Sequence, residues 1–288
     1  MTALASAPAL AVHRSRKLIP DFRLHRPRTA AEAVAMKAAC GAGAVFMAGG
    51  IDVVNRMKFG IPVSDVIHLG GVAGLDRIEV SSGELRLGAL VTHDRLANSP
   101  EIRSLLPALA RTWPGVANIR VRCKGTIGGN IMAADPAYDF ALAALAAGAR
   151  LVFLDPDGSP SVVAAAELGG GRLDRLLTTI ILPSGMTLRL MFDRSLRPIV
   201  SLVLGLDLAD GRITGGRVAI GCAYATPMAA RLPIDEALAI GELASRAAAI
   251  AREVATGLPE PRGDHNAGAN YRRRMVEGLL RRHLSALE

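Results

Sequence analysis

The order of apolar runs changes once along this chain, and that change limits the available folds more than any single motif does. From Phe22 to Pro183 short strand-like runs alternate with helix-like segments, whereas beyond Met186 long strand-like runs come first and helices follow. Alternation puts strands and helices into shared layers, while strands followed by helices mark a separate α+β unit. The 288 residues suffice for two such units with real cores. The chain is therefore expected to be α+β, with residues 1–17 a flexible N-terminal arm, 18–185 a first domain divided at about residue 75, and 186–288 a C-terminal domain.

Local signals support that division. DFRLHRP reads as a strand, and TAAEAVAMKAACGAG as a helix with Thr29 at its N-cap and glycines at its end. AVFMAGG and SDVIHLGGV follow as strands. IEVSSGELRLGALVTHDRLA holds two strands around the turn SSGE and leads into helical NSPEIRSLLPALARTW. Residues 116–139 are glycine-rich in the middle, and ALAALAAGA beyond them reads as a small apolar helix. LVFLDPDGSPSVV is a hairpin about DPDG, and TTIILP is a strand closed by Pro183. In the second unit the strands IVSLVLGLDLADGRITGGRVAIGCAY turn at ADGR, and Pro233–Glu288 is helical apart from TGLPEPRGDHNAG.

Composition excludes more than it selects. Aromatic residues are 3% of the chain, which leaves nucleobases few rings to stack on, while a net charge of +8 suits an anionic ligand, an acidic partner or nucleic acid alike. The three cysteines, Cys40, Cys123 and Cys222, lack the spacing of a zinc or iron–sulfur site and of a disulfide framework. His13, His25, His68, His93, His265 and His283 show no metal spacing. The run Arg272-Arg273-Arg274 with Arg281-Arg282 has only Tyr271 as an aromatic neighbour, and is expected to be a solvated helix face or subunit contact. At the N-terminus the basic residues follow the apolar stretch and Pro8 interrupts it, unlike a secretory signal. No window approaches the ~18 apolar residues of a membrane span. A cytoplasmic protein without a membrane span and without nucleic acid is expected.

Two glycine pairs carry the chemistry. Gly49-Gly50 stops the apolar run AVFM, and Gly128-Gly129 lies in KGTIGGNIMAADPAYDF. Neither belongs to a Rossmann fingerprint: GAG at 41–43 has Phe46 at the last glycine position and follows a helix instead of a strand. No GxxxxGK[ST] occurs. The first pair either ends a strand or brings bare backbone against a ligand. The second is either a β-bend with a glycine bulge or a row of unobstructed amides, flanked by Thr126, Asn130, Asp135 and Asp139, that would suit a diphosphate and its ribose hydroxyls.

Taken together, AGGID and TIGGNI resemble the FAD-binding medium subunit of the molybdenum hydroxylases, the xanthine dehydrogenase and carbon monoxide dehydrogenase family. LRLGALVTHDRLANSPEI, ANIRVRCKGTIGGNI, VAIGCAYATPMAARLP and NYRRRMVEGLLRRHL extend the similarity over nearly the whole chain. The resemblance implies a two-subdomain, PCMH-type (vanillyl-alcohol-oxidase-like) FAD domain, followed by an α+β domain with a three-stranded antiparallel sheet and helices. It implies FAD contacts at Met47, Ala48, Gly49, Gly50, Ile51 and Asp52, at Thr126, Gly128, Gly129, Asn130 and Met132, and at Asp135, Tyr138 and Asp139, with Ala117 and Val121 lining the flavin pocket. It further implies a large molybdopterin subunit and a small subunit with 2Fe-2S clusters, assembled as a dimer of heterotrimers, an external electron acceptor, and no catalytic side chain or metal in this chain.

Two positions depart from the family. Ile51 stands where a Thr, Ser or His-Ser is usual, and Phe192-Asp193-Arg194 replaces an aromatic-x-Lys pattern, so Arg194 keeps the charge without the Lys geometry. A free-standing FAD oxidoreductase of the same fold and a flavin-free basic scaffold or nucleic-acid-binding protein remain as alternatives.

Overall fold

The computed structural model describes residues 19–81, 83–168, 174–183, 188–193 and 199–287. The expected arm at 1–17, the boundary at Met186 and the position of Arg194 lie outside the described residues.

The first layer is a parallel sheet of β1 (Arg23–His25), β2 (Ala44–Met47) and β3 (Asp65–His68), in the order β1-β3-β2. Helix α1 (Ala30–Cys40) connects β1 to β2, and it starts where the sequence says it should: Thr29 Oγ accepts from the Glu32 amide at 3.1 Å, and Glu32 accepts from the Arg28 amide at 2.7 Å. Helix α2 (Ile51–Lys58) crosses from β2 to β3.

A second, five-stranded antiparallel sheet contains β4 (Ile78–Ser81), β5 (Glu84–Gly88), β6 (Arg150–Leu154), β7 (Pro160–Ala164) and β8 (Leu176–Pro183), ordered β4-β5-β8-β6-β7. Between β5 and β6 the chain runs through α3 (His93–Asn98), α4 (Pro100–Leu105), α5 (Pro107–Thr112), α6 (Ile119–Arg122), α7 (Ile127–Ala133) and α8 (Asp139–Ala146). The expected continuous helix at NSPEIRSLLPALARTW is broken before Pro100 and Pro107, because proline lacks an amide hydrogen and drives its predecessor out of the helical region. The glycine-rich segment excludes one of its two readings: TIGGNI opens a helix and is no β-bend.

Every residue of α8 is buried. It lies between the five-stranded sheet and a third sheet, in one core that includes Leu151, Phe153, Leu177 and Ile180 from one side and Val203 and Ala219 from the other. That third sheet is antiparallel: β9 (Leu188–Asp193), β10 (Ser201–Ala209), β11 (Arg212–Gly221) and β12 (Met228–Arg231), ordered β12-β11-β10-β9. Its four strands correct the expected three. The extra edge strand, MAAR, has no β-branched or aromatic residue to announce it, and its place is set by pairing with β11 from Arg217↔Arg231 to Ile220↔Met228. Strand β10 is buried on both faces. Leu202, Leu204 and Leu206 point away from Val203, into a core shared with Ile250, Val254, Val276 and Leu280. Those last four come from α10 (Ala247–Gly257) and α11 (Ala269–Ser285), which follow the short α9 (Ile240–Ser245).

The basic run on α11 is a solvated face only in part: Arg274, Arg281 and Arg282 are exposed, whereas Arg272 and Arg273 turn inward. Arg272 is buried and donates to the carbonyls of Ile199 (2.9 Å) and Cys222, with Asp264 at 2.6 Å, while Arg273 donates to the carbonyls of Ala255 and Leu258 near the end of α10. These guanidinium groups satisfy loop and helix-end carbonyls. Among the described residues no helix is long and apolar enough to cross a membrane.

Candidate functional site

The two glycine turns meet, but they differ in their hydrogen bonding. After β2 the chain turns through Ala48-Gly49-Gly50, and Gly50, at φ +77°, is the N-cap of α2 without any side-chain cap. The first amides of α2 therefore have no side-chain acceptor, and the positive end of the helix dipole stands open. In the second turn Thr126 caps α7 by accepting from the Gly129 amide at 3.1 Å. The Ile127 amide donates to the Val91 carbonyl, that of Gly128 to the Ala89 carbonyl, and that of Asn130 to the Thr126 carbonyl. The row of free amides expected at 127–130 is thus committed within the chain. The anion-binding end of the site belongs to α2, and the second turn offers a hydroxyl hydrogen on Thr126, bare Gly129 and the Asn130 side chain.

A cavity of about 350 Å³ lies between them, within the range of roughly 300–1,000 Å³ usual for small-molecule sites. Ala48, Gly49, Gly50, Ile51 and Asp52 form one wall, and Thr126, Gly128, Gly129, Asn130 and Met132 face them. Ala117, Val121, Tyr138 and Asp139 complete the set that the sequence placed here. Met47 and Asp135 do not line the cavity. Met47 packs beside Met57, Val63 and Val66, and Asp135 accepts from the Ala137 amide at 2.8 Å in a turn that leads into α8. The Asn130 side-chain oxygen accepts from the Ala141 amide, which leaves its NH₂ as the group available to a ligand. Ile51 is 38% exposed and its Cγ1 lies over Gly125.

Sequence reasoning missed a second set of lining residues. Phe46, Leu69, Leu90, Val116, Leu176 and Leu177 build an apolar wall, with His93, Arg56 and Arg175 as polar members. The leucines come from ordinary apolar runs, where nothing local separates a cavity wall from a core. Arg56 alone carried a signal, since it lies one helical turn after Asp52 and pairs with it at 3.6 Å.

The polar end of the cavity is tuned by burial. Desolvation pushes the Asp52 carboxyl up; Arg56 pulls it back and Asp135 adds to the rise. Burial also raises the Tyr138 phenol, helped by the negative charges of Asp52 and Asp135. His93 is held down at about 4 by burial, so it is neutral at ordinary pH.

One cluster of metal-ligating groups among the described residues lies at the β1–β3 sheet: His25, Cys40 and Asp65. Its carboxylate is already saturated. Asp65 Oδ1 accepts from Arg23 Nε at 2.8 Å and His25 Nε2 at 2.7 Å, and Oδ2 accepts from Arg23 Nη2 at 2.9 Å and Ser64 Oγ at 2.8 Å. Arg23 above all, then His25, holds the Asp65 carboxyl well below the usual carboxylate range. The arrangement is that of a strand-to-strand clasp.

The cavity fits a dinucleotide flavin in its donor chemistry. The open start of α2 suits a diphosphate, Asn130, Tyr138 and Asp139 suit hydroxyl groups, and the wall of Leu90, Val116, Leu176 and Leu177 suits an aromatic ring system.

Comparison with known proteins agrees with that chemistry. The family described as the FAD binding domain in molybdopterin dehydrogenase matches residues 20–185. The chain is 30% identical over 242 residues to the nicotine 6-hydroxylase medium subunit of Paenarthrobacter nicotinovorans, covering 80% of this chain and 83% of that one. It is 26% identical to the carbon monoxide dehydrogenase medium chain of Afipia carboxidovorans, covering 92% and 96%. Among solved structures it is similar to a chain of carbon monoxide dehydrogenase from Hydrogenophaga pseudoflava, with a TM-score of 0.81, 24% identity and coverage of 94% and 98%. A chain of quinoline 2-oxidoreductase from Pseudomonas putida 86 gives a TM-score of 0.81 at 25% identity, covering 93% and 96%.

Proposed function

The chain belongs to the FAD-binding medium subunits of the molybdopterin-dependent dehydrogenases, and from that premise we propose that it is the electron-transfer subunit of a molybdenum hydroxylase. On this reading a large partner holds the molybdopterin-type cofactor and substrate, a small partner carries 2Fe-2S clusters, and the three chains assemble as a dimer of heterotrimers in the cytoplasm. Residues 18–185 would form the FAD domain and 186–288 the supporting α+β domain. FAD, when bound, supplies the redox step between the clusters of the small partner and an external acceptor.

The residues of this chain bind and orient. The observation that carries the proposal is the uncapped start of α2, facing the capped turn at Thr126 across one cavity. The α2 amides would hold the diphosphate, with the Thr126 hydroxyl and the Asn130 amide as further donors. Asp139 and Tyr138 would serve the sugar hydroxyls, and Leu90, Leu176 and Leu177 would keep water from the ring. No side chain here needs to act as a general acid or base in the hydroxylation.

Reconstitution tests the proposal. The purified chain should take up one FAD, and that FAD should be reduced by substrate only when the large and small partners are present. A chain that takes up no flavin would refute the FAD site. Reduction by substrate without partners would replace the subunit reading with that of a free-standing oxidoreductase.

A further inference from the structure

We propose that His93 presents a fixed, uncharged hydrogen-bond donor to the diphosphate of the cofactor, its Nε2–H turned into the cavity by Trp113. The inference rests on the FAD reading of this cavity. The indole nitrogen of Trp113 can only donate, and it meets His93 Nδ1 at 3.3 Å. His93 Nδ1 must then be the acceptor, so the proton of the neutral ring sits on Nε2. Trp113 cannot swing away to release it. The indole is fully buried and wedged edge-on against Phe140, with ring centroids 5.6 Å apart.

The imidazole is strapped under the point where the two turns converge. The His93 amide donates to the Gly125 carbonyl at 3.0 Å, and Thr92 bridges to Thr126. A Cβ placed on Gly125 would stand 3.2 Å from His93 Cδ2, the carbon bonded to Nε2, and 3.6 Å from Ile51 Cγ1. The Cδ2–Nε2 side of the ring thus lies beside Gly125, where the first residue of α2 also approaches. His93 lines the cavity, and no hydrogen bond to Nε2 occurs within the described residues. Burial keeps the ring neutral, so it adds a donor beside the helix end without adding a charge.

The sequence alone offers little to single out this histidine. Its donor is created by a tryptophan twenty positions along, through a contact that fixes a tautomer. Trp113 is a positioning residue in this scheme, since it acts only through His93.

The experiment uses the full chain labelled with ¹⁵N-histidine and titrated with FAD, with flavin absorbance read in parallel; His93→Gln assigns the resonance. The expected result is a neutral Nε2–H tautomer before FAD, and a shift of its Nε2–H signal in step with flavin uptake. His93→Leu should weaken FAD binding about tenfold to hundredfold, the range for a buried hydrogen bond to a charged group, and His93→Gln should recover part of it. Trp113→Phe should leave a mixed-tautomer signature. FAD uptake with an unmoved His93 signal, or full affinity in His93→Leu, would overturn the His93 proposal and leave the FAD site standing. Failure of the wild-type chain to take up FAD would overturn both.

Discussion

Gly49 lies so close to the carbonyl oxygen of Lys124 that a Cβ on residue 49 would collide with it. The two turns that build the cavity therefore touch through bare backbone, and the glycine in the first is required by the second before any ligand arrives. Gly128 is constrained in the same way, since a Cβ there would come within 2.6 Å of Ala89. Gly50 has a different reason, its positive φ at the start of α2. Of the four glycines, Gly129 is the one that faces the cavity with only Thr126 Oγ1 near it, at 3.0 Å.

Gly49→Ala and Gly129→Val should therefore fail differently. Gly49→Ala must push the turns apart, with an expected loss of about 1–3 kcal/mol, the usual cost of overpacking, together with weakened FAD uptake. Gly129→Val should unfold within a few degrees of the wild type yet lose FAD, because its side chain competes with the cofactor. Thermal unfolding of the apo-proteins and flavin stoichiometry separate the two effects. Full flavin content in Gly129→Val would show that the residue does not face the cofactor.

Thr126→Val removes the acceptor of the Gly129 amide with little change in shape. Loss of an N-cap hydroxyl costs about 1 kcal/mol. Denaturant midpoints should fall accordingly, and Thr126→Ser should restore most of the loss. An unchanged midpoint in the valine variant would mean that the Gly129 amide finds another acceptor.

Acid should destabilise the apo-protein in two stages. Burial lowers both His93 and His283 from 6.5 to about 4, so the unfolded chain takes up their protons first and stability falls as pH drops from about 6.5 towards 4. Asp264 follows. The amides of Asn266 and Ala267, with Arg272, hold its carboxyl at about 2 against an ordinary 3.8, so its contribution is present above pH 3.8 and is lost on the way down to about 2. Unfolding midpoints measured across this range should show the upper stage shrink in His283→Gln and the lower stage shrink in Asp264→Asn. Identical profiles for wild type and variants would refute the assignment.

Arg272→Met should be among the most damaging single changes in the second domain. It leaves the Ile199 and Cys222 carbonyls and the Asp264 carboxylate without their shared donor, and breaking a buried charged network in this way costs about 3–5 kcal/mol. Arg272→Lys should recover only part, because an ammonium cannot span the same acceptors. Equilibrium unfolding measures both. A lysine variant equal to wild type would show that charge alone suffices.

Much of the fold was legible because its signals are local. Thr29 and Glu32 cap α1 from positions three apart, DPDG turns the β6–β7 hairpin, and Asp210-Gly211, both at positive φ, turn β10 into β11. The site was legible as two glycine turns and as a family resemblance, and through that resemblance about half of its wall residues were named. The missed wall, from Phe46 to Leu177, has the same apolar composition as the core behind it.

By itself, then, the sequence determined where α1 begins and where the hairpins turn, which family the chain belongs to, and which two glycine turns matter. Tertiary structure alone decided that TIGGNI would coil into a capped helix, that Gly49 answers to Lys124, that His93 carries its proton on Nε2 and that Arg272 is buried. The difference is physical. Capping and turn preferences depend on residues a few positions apart, whereas a buried group's acceptor, protonation and free space are set by whichever distant segment folds against it.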